Sequence, residues 1–148
     1  MKTYTRIVYQ IVFQTRNWES TLDKVNKVRL FEYMSKTLMN KKCFVYRVGG
    51  YDNHVHILIS LHPTLALSSL VKDIKLSSAS FIQRKKLFTH FHGWNEGYGA
   101  FTYTPEAIPK LIKYIKNQDE HHKEETPFEE TKRLLREFDI EFEEKYMR

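Results

Sequence analysis

The 148-residue chain contains one cysteine, Cys43, which excludes an intramolecular disulfide and any cysteine-rich zinc site. It lacks an apolar run approaching the roughly 18 residues of a membrane span. It also lacks a charged start followed by an apolar stretch and a cleavage site, so a cytoplasmic protein is expected. Acidic residues are scarce over the first 94 positions, with 5 Asp or Glu against 15 Lys or Arg; residues 95–148 reverse the balance, with 13 against 9. A polyanion would lie on the basic part, although a basic surplus can also serve solubility alone. No repeat, low-complexity tract or second-domain boundary is visible. With 41% hydrophobic residues, the chain is long enough to bury a core. One domain over residues 1–148 is expected.

What is present begins with Tyr4 to Phe13, rich in β-branched and aromatic residues and free of glycine and proline, which predicts a strand. The polar loop from Gln14 to Ser20 holds Arg16 and Trp18, a guanidinium and an indole. These could meet phosphate and base, or be a surface charge and a lid on the core. From about Leu22 to Asn40 the apolar period is helical, with Val28, Phe31, Ser35 and Leu38 on one face. Cys43 to Val48 is a second strand. The glycine-containing loop Gly49 to Asn53 turns it back as a hairpin.

The next strand, His54-Val55-His56-Ile57-Leu58-Ile59-Ser60-Leu61, carries two histidines. With period two, Val55, Ile57, Ile59 and Leu61 share one face, and His54 and His56 share the other. Two imidazoles one strand repeat apart can converge on a divalent metal; they can equally be ordinary strand histidines. A second helix from about Ser68 to Lys86 buries Leu70, Val71, Ile74, Ser78, Phe81 and Ile82. Its other side aligns Lys72, Lys75, Gln83 and Lys86, a stripe that could track a phosphate backbone or simply face water. His90 and His92 repeat the histidine spacing but fall outside a convincing strand. A fourth strand is entered through Gly97 and Gly99.

Strand, helix, strand, strand, helix, strand is the βαββαβ pattern of an α+β, ferredoxin-like antiparallel sheet with two helices on one face. His54 and His56 are then expected on the face those helices leave open. Two C-terminal helices follow. The first, from about Glu106 to His122, tolerates Pro109 in its opening turn and has an apolar stripe of Ile108, Leu111, Ile112 and Ile115. Tyr114 and Gln118, four residues apart, stack on one side of it, continued by His121 and His122. The second helix opens at Thr126-Pro127-Phe128-Glu129, a capping box, and runs to about Phe138. A charged tail follows, with Ile140, Phe142 and Tyr146 as candidate anchors.

His54-Val55-His56, Tyr114-Ile115-Lys116-Asn117-Gln118 and His121-His122 together resemble the single-tyrosine HUH (His-hydrophobic-His) transposases of small bacterial insertion sequences, which move as single-stranded DNA. Ile11 to Arg16, Asp52-Asn53, Trp94 and Gly97-Tyr98-Gly99 fit as well, so the resemblance spans about residues 5–146. Each motif is weak alone; their order and spacing together are specific. The tyrosine lies 58 residues after His56, whereas relaxases usually place it before the histidines.

The resemblance implies that His54, His56 and Gln118 are ligands of a divalent metal, Mg²⁺ or Mn²⁺, and that the C-terminal helices carry the nucleophile, Tyr114. It implies cleavage and rejoining of DNA ends through a covalent 5′-phosphotyrosine. Single-stranded DNA with hairpins at the element ends would be the partner, in a homodimer. Arg16, Lys72 and Lys75 are the candidate DNA contacts. Two rival expectations remain: a domesticated relative processing chromosomal hairpin repeats, and a non-catalytic single-stranded nucleic-acid-binding module on the same sheet.

Overall fold

In the computed structural model, which describes residues 1–147, the β-branched segments and the helical-period segments alternate as the pattern predicts. The elements are β1 (Val8–Gln14), α1 (Lys27–Asn40), β2 (Phe44–Gly50), β3 (His54–Ser60), α2 (Leu67–Lys85) and β4 (Gly99–Tyr103). The strands form one sheet in the order β2-β3-β1-β4, and every neighbouring pair is antiparallel. This is the ferredoxin-like arrangement. Three C-terminal helices follow: α3 (Ile108–Lys116), α4 (Gln118–His121) and α5 (Pro127–Glu137). No helix among the described residues is long and apolar enough to cross a membrane.

The alternation of β3 separates two chemistries. Val55, Ile57 and Ile59 join Ile11 and Phe13 of β1 in a core with Leu30, Met34 and Leu38 of α1 and Leu70, Val71 and Ile74 of α2. His54, His56 and Leu58 point the other way. Sequence reasoning leaves that second face open, but α3 and α5 cover it. Ile108 and Ile115 pack on Val8 and Leu58, and Leu134 packs on Val12 and Phe101. The histidines are therefore buried, 2% and 0% exposed. α3 and α5 each have an apolar stripe that needs a partner, and the sheet's second face is the one available.

Other departures have local causes. α1 begins at Lys27 rather than near Leu22, and it turns Leu30, Met34 and Leu38 inward, leaving Val28 half exposed. Only Leu38 of the expected face is fully buried; Phe31 and Ser35 flank it. The buried Lys27 instead reaches Asp119 at 2.6 Å, tying the start of α1 to α4. The helix expected over 106–122 is interrupted: Pro105–Ala107 form a 3₁₀ turn, and the chain leaves helical geometry at Asn117 (φ −98°, ψ 23°). The N-cap half of the capping box is formed, since Thr126 Oγ1 accepts from the Glu129 amide at 3.2 Å. Ile140 and Tyr146 stay exposed rather than anchoring the tail. The tail is held where Trp18 Nε1 donates to the Met147 carbonyl at 2.7 Å.

The close approach of α3 to the sheet depends on Gly49. A Cβ there would lie 2.7 Å from Ile115 Cγ2 and 3.0 Å from the Ile115 carbonyl oxygen. Gly49→Ala is expected to destabilise the fold by about 1–3 kcal/mol through overpacking. That exceeds the roughly 0.4–1 kcal/mol gained from the stiffer unfolded chain. An unchanged urea midpoint would refute the close approach.

Candidate active site

The site lies between the second face of the sheet and the C-terminal helices, and each wall contributes through a simple local rule. On β3, the two-residue repeat places His54 and His56 side by side. On β1, Val12 pairs with His56, and Gln10, two residues before Val12, is on the same face. Gln10 Oε1 takes His56 Nδ1 at 2.8 Å, while Gln10 Nε2 donates to the Tyr103 hydroxyl at 2.8 Å. Asn53 acts likewise for its neighbour: Nδ2 donates to the Trp18 carbonyl at 3.2 Å, and Oδ1 takes His54 Nδ1 at 2.9 Å. An amide oxygen thus fixes each Nδ1 as a donor, and each Nε2 faces inward.

The helices supply the opposite wall. Gln118 is 1% exposed, and its Oε1 lies 2.9 Å from His54 Nε2. His122 Nδ1 donates to the Glu125 carbonyl at 2.6 Å, and its Nε2 points at Gln118 Oε1 (2.8 Å) and His54 Nε2 (3.2 Å). Tyr114, half-buried one turn earlier on α3, stands edge-on to His56 with ring centres 5.9 Å apart. Arg133 Nη2 donates to the Tyr114 oxygen at 2.9 Å and is itself held by Glu125 and Glu137.

At the centre is a residue that sequence reasoning did not single out. Glu130 of α5 is 1% exposed. Its Oε1 lies 3.0 Å from His56 Nε2, 3.2 Å from His54 Nε2 and 3.5 Å from His122 Nε2. Its Oε2 accepts from Gln118 Nε2 at 3.0 Å and from the Tyr114 hydroxyl. A signal for it exists in the sequence. Glu130 stands one helical turn before Leu134, on the stripe of α5 that an amphipathic helix buries. Sequence reasoning misses Gln10 and Arg133, whose partners are remote in sequence, and notes Asn53 only within the Asp52-Asn53 pair.

The electrostatics follow from burial and from Glu130. Burial depresses His54 from its ordinary 6.5 to about 4, against the Glu130 hydrogen bond that favours its charged form. Burial would raise the Glu130 carboxyl, but the His56 ring and hydrogen bonds from His122, His54 and His56 outweigh it and hold it well below the usual carboxylate range. Burial and the Glu130 charge push the Tyr114 phenol well above its ordinary value. Burial opposes protonation of His122, yet Glu130 and the Glu125 carbonyl raise its pKa overall. His54, His122 and Glu130 form a group that could hold a metal ion, with ligand atoms all within 4.8 Å of one another. Imidazole, amide oxygen and carboxylate suit a divalent first-row metal.

The structure therefore brings together His54, His56, Gln118 and Tyr114. The three candidate DNA contacts lie elsewhere. Arg16 is exposed in the turn after β1, and Lys72 is exposed on α2. Lys75 is not a free cation: its Nζ donates to the carbonyls of Asn95 (2.9 Å) and Gly97 (2.5 Å) and sits over the Phe13 ring, bracing the loop into β4. These contacts take up two of its three N–H donors. His90 and His92 are exposed, and His92 pairs with Glu19 at 3.2 Å.

A family model described as "Transposase IS200 like" matches residues 3–118. Among solved structures, a candidate transposase from Deinococcus radiodurans R1 is similar in fold, with TM-score 0.59 and 22% identity over 80% of this chain and 98% of that one. A REP-associated tyrosine transposase bound to a REP hairpin is also similar, with TM-score 0.58 and 15% identity over 82% of this chain and 72% of that one. No curated protein sequence matches significantly.

Proposed function

The chain belongs to the IS200-like transposase family, and from that premise we propose that it is a single-domain enzyme that cleaves and rejoins single-stranded DNA through a covalent bond between Tyr114 and a 5′-phosphate. The observation that carries this reading is the shared carboxylate. Glu130 accepts from the Tyr114 hydroxyl on one oxygen and contacts His54 and His56 through the other. The candidate nucleophile and the candidate metal ligands thus meet within one chain.

In this mechanism Tyr114 attacks the scissile phosphorus in line. The phenolic O–P bond forms, the P–O3′ bond breaks, and the strand is left with a 3′-hydroxyl. Glu130 Oε2 is placed to take the phenolic proton, and Arg133 donates to the oxygen on which negative charge develops. His54, His56 and Gln118 would hold the divalent metal, Mg²⁺ or Mn²⁺, which supplies Lewis-acid polarisation of the phosphate. The phosphotyrosine conserves the bond energy, so a 3′-hydroxyl from another end can displace Tyr114 and reseal the strand without a nucleotide cofactor. A homodimer, as the family resemblance implies, would then bring two complete sites to two DNA ends rather than complete either one.

Single-stranded DNA folded into hairpins is the proposed substrate; the REP-associated transposase with this fold is itself bound to a hairpin. Lys72 stands beside a cleft lined by Leu76, Trp94 and Tyr98, where a cation and aromatic surface adjoin. Such a pairing suits a phosphate and an unstacked base. Lys72→Ala is expected to weaken hairpin binding at low salt and to reduce the slope of log affinity against log salt by about 1. An unchanged slope would remove Lys72 from the interface.

The reading is tested by incubating the protein with end-labelled single-stranded DNA flanking its gene, with Mn²⁺ or Mg²⁺. A denaturant-resistant adduct on the 5′-phosphate side is expected, and chelation should abolish it. Tight binding with no adduct in either metal would favour the non-catalytic binding module.

A further inference from the structure

The family resemblance assigns three metal ligands, but five potential donor atoms crowd the same space. His54 Nε2 lies 2.9 Å from Gln118 Oε1 and 3.2 Å from both His122 Nε2 and Glu130 Oε1. His122 Nε2 lies 2.8 Å from Gln118 Oε1 and 3.5 Å from Glu130 Oε1, and His56 Nε2 lies 3.0 Å from the same Glu130 oxygen. Two ligands on adjacent octahedral positions about 2.1 Å from a metal stand about 3 Å apart. The separations joining His54, Gln118, His122 and Glu130 are of that size, and His56 reaches the cluster through Glu130 Oε1.

Hydrogen bonding orients these atoms as ligands. Every Nδ1 in the cluster is taken by an oxygen: Asn53 for His54, Gln10 for His56 and the Glu125 carbonyl for His122. A metal-ligating histidine commonly has such a partner on its other nitrogen, which fixes the ring and leaves the inward nitrogen for the ion. The Gln118 amide donates its NH₂ to Glu130 Oε2, turning its oxygen inward. Acceptor thus faces acceptor at His122–His54 and at His122–Gln118 unless a metal ion, or a proton on His122 Nε2, lies between them. Sequence reasoning notes His122 only as part of the His121-His122 pair and passes over Glu130.

We propose that His122 and Glu130 ligate the divalent metal together with His54, His56 and Gln118, so that the ion fastens the C-terminal helices to the sheet. This rests on the metal-dependent reading above and extends its ligand set. Five protein ligands leave one octahedral position for a phosphate oxygen. Three imidazoles also shift preference toward Mn²⁺ and away from Mg²⁺, which favours oxygen ligands. The carboxylate adds the only anionic ligand and links the ion to Tyr114 through its other oxygen.

The test is calorimetric titration of the metal-stripped, full-length protein with Mn²⁺, with the Mn²⁺-induced rise in Tm as a second readout. Glu130→Gln preserves shape, His122→Asn shortens a buried side chain while keeping it polar, His54→Ala removes a β3 ligand, and the exposed Glu129→Gln is the control. Glu130→Gln and His122→Asn are each expected to lower Mn²⁺ affinity at least about tenfold and to shrink the Tm rise, as losses at a ligand or its immediate support do. Glu129→Gln should behave as wild type. Wild-type affinity in both test variants, with loss in His54→Ala, would overturn the proposal while sparing the metal-dependent reading. Tighter binding in Glu130→Gln would also overturn it, making Glu130 a plug that competes with the ion. No Mn²⁺ binding by the wild type would overturn both.

Discussion

Replacing Tyr114 by phenylalanine is expected to lower strand cleavage at least about 10⁴-fold, the scale seen when a covalent nucleophile is removed, with hairpin binding retained. The two expectations separate because the ring and the hydroxyl have different duties. The ring packs edge-on to His56 and lies under Arg133, whose guanidinium carbon is 5.8 Å from its centre; phenylalanine keeps both contacts. The hydroxyl contributes a hydrogen bond to Glu130, but that carboxylate keeps Gln118 Nε2 at 3.0 Å and the histidine contacts, so its loss should not unfold the site. Removing the hydroxyl removes the atom that would bond to phosphorus. The measurement is a denaturing gel of protein incubated with end-labelled single-stranded DNA, paired with a native gel for hairpin binding. An adduct that survives in Tyr114→Phe would exclude Tyr114 as the nucleophile; peptide mapping of the adduct would then identify the residue used.

The second large effect is acid sensitivity of the metal-free protein. His54 has a folded-state pKa of about 4 against an ordinary 6.5. Above pH 6.5 it is neutral in both states and imposes no cost. Between pH 6.5 and 4 the unfolded chain binds a proton that the buried ring does not, so stability falls as pH falls. The full loss is about 3 kcal/mol, reached once pH drops below the folded value. Glu130 acts in the same direction at lower pH. Its carboxyl is held below the usual range in the fold, so the unfolded chain takes up its proton first. His122 acts oppositely, because its raised pKa lets the folded state bind a proton first, adding stability as pH falls through that value. The net expectation is a declining urea midpoint from pH 7 to pH 4.5 in the presence of chelator. The slope should flatten in His54→Asn. A midpoint independent of pH over that range would refute the burial of a neutral His54.

The sequence alone determined the order of elements, because periods of two and 3.6 are local properties of the chain. It determined that His54 and His56 share a face, since strand alternation leaves no other choice. It also put Tyr114 and Gln118 on one side of the chain, although they fall in α3 and α4 on either side of the break at Asn117, and it marked the start of the last helix through Thr126 and Glu129. Apart from that step across Asn117, these relations lie within one element, where spacing alone sets geometry.

Relations between elements were decided only by tertiary structure. The rotation of α1 about its axis turned Leu30 and Met34 inward and left Val28 outside, because several weakly amphipathic faces were compatible with its sequence. The packing of α3 and α5 onto the second face of the sheet turned an open histidine pair into a buried one. Lys75, which aligns with Lys72 on a helical wheel, became a brace because the loop to β4 passes over it. Glu130 is one carboxylate among 18 Asp and Glu residues. Only the docking of α5 selects it, by burying that one acid against three imidazoles, an amide and a phenol. Burial and convergence depend on where elements meet, and that meeting is set by packing across more than 70 residues of sequence between His56 and Glu130.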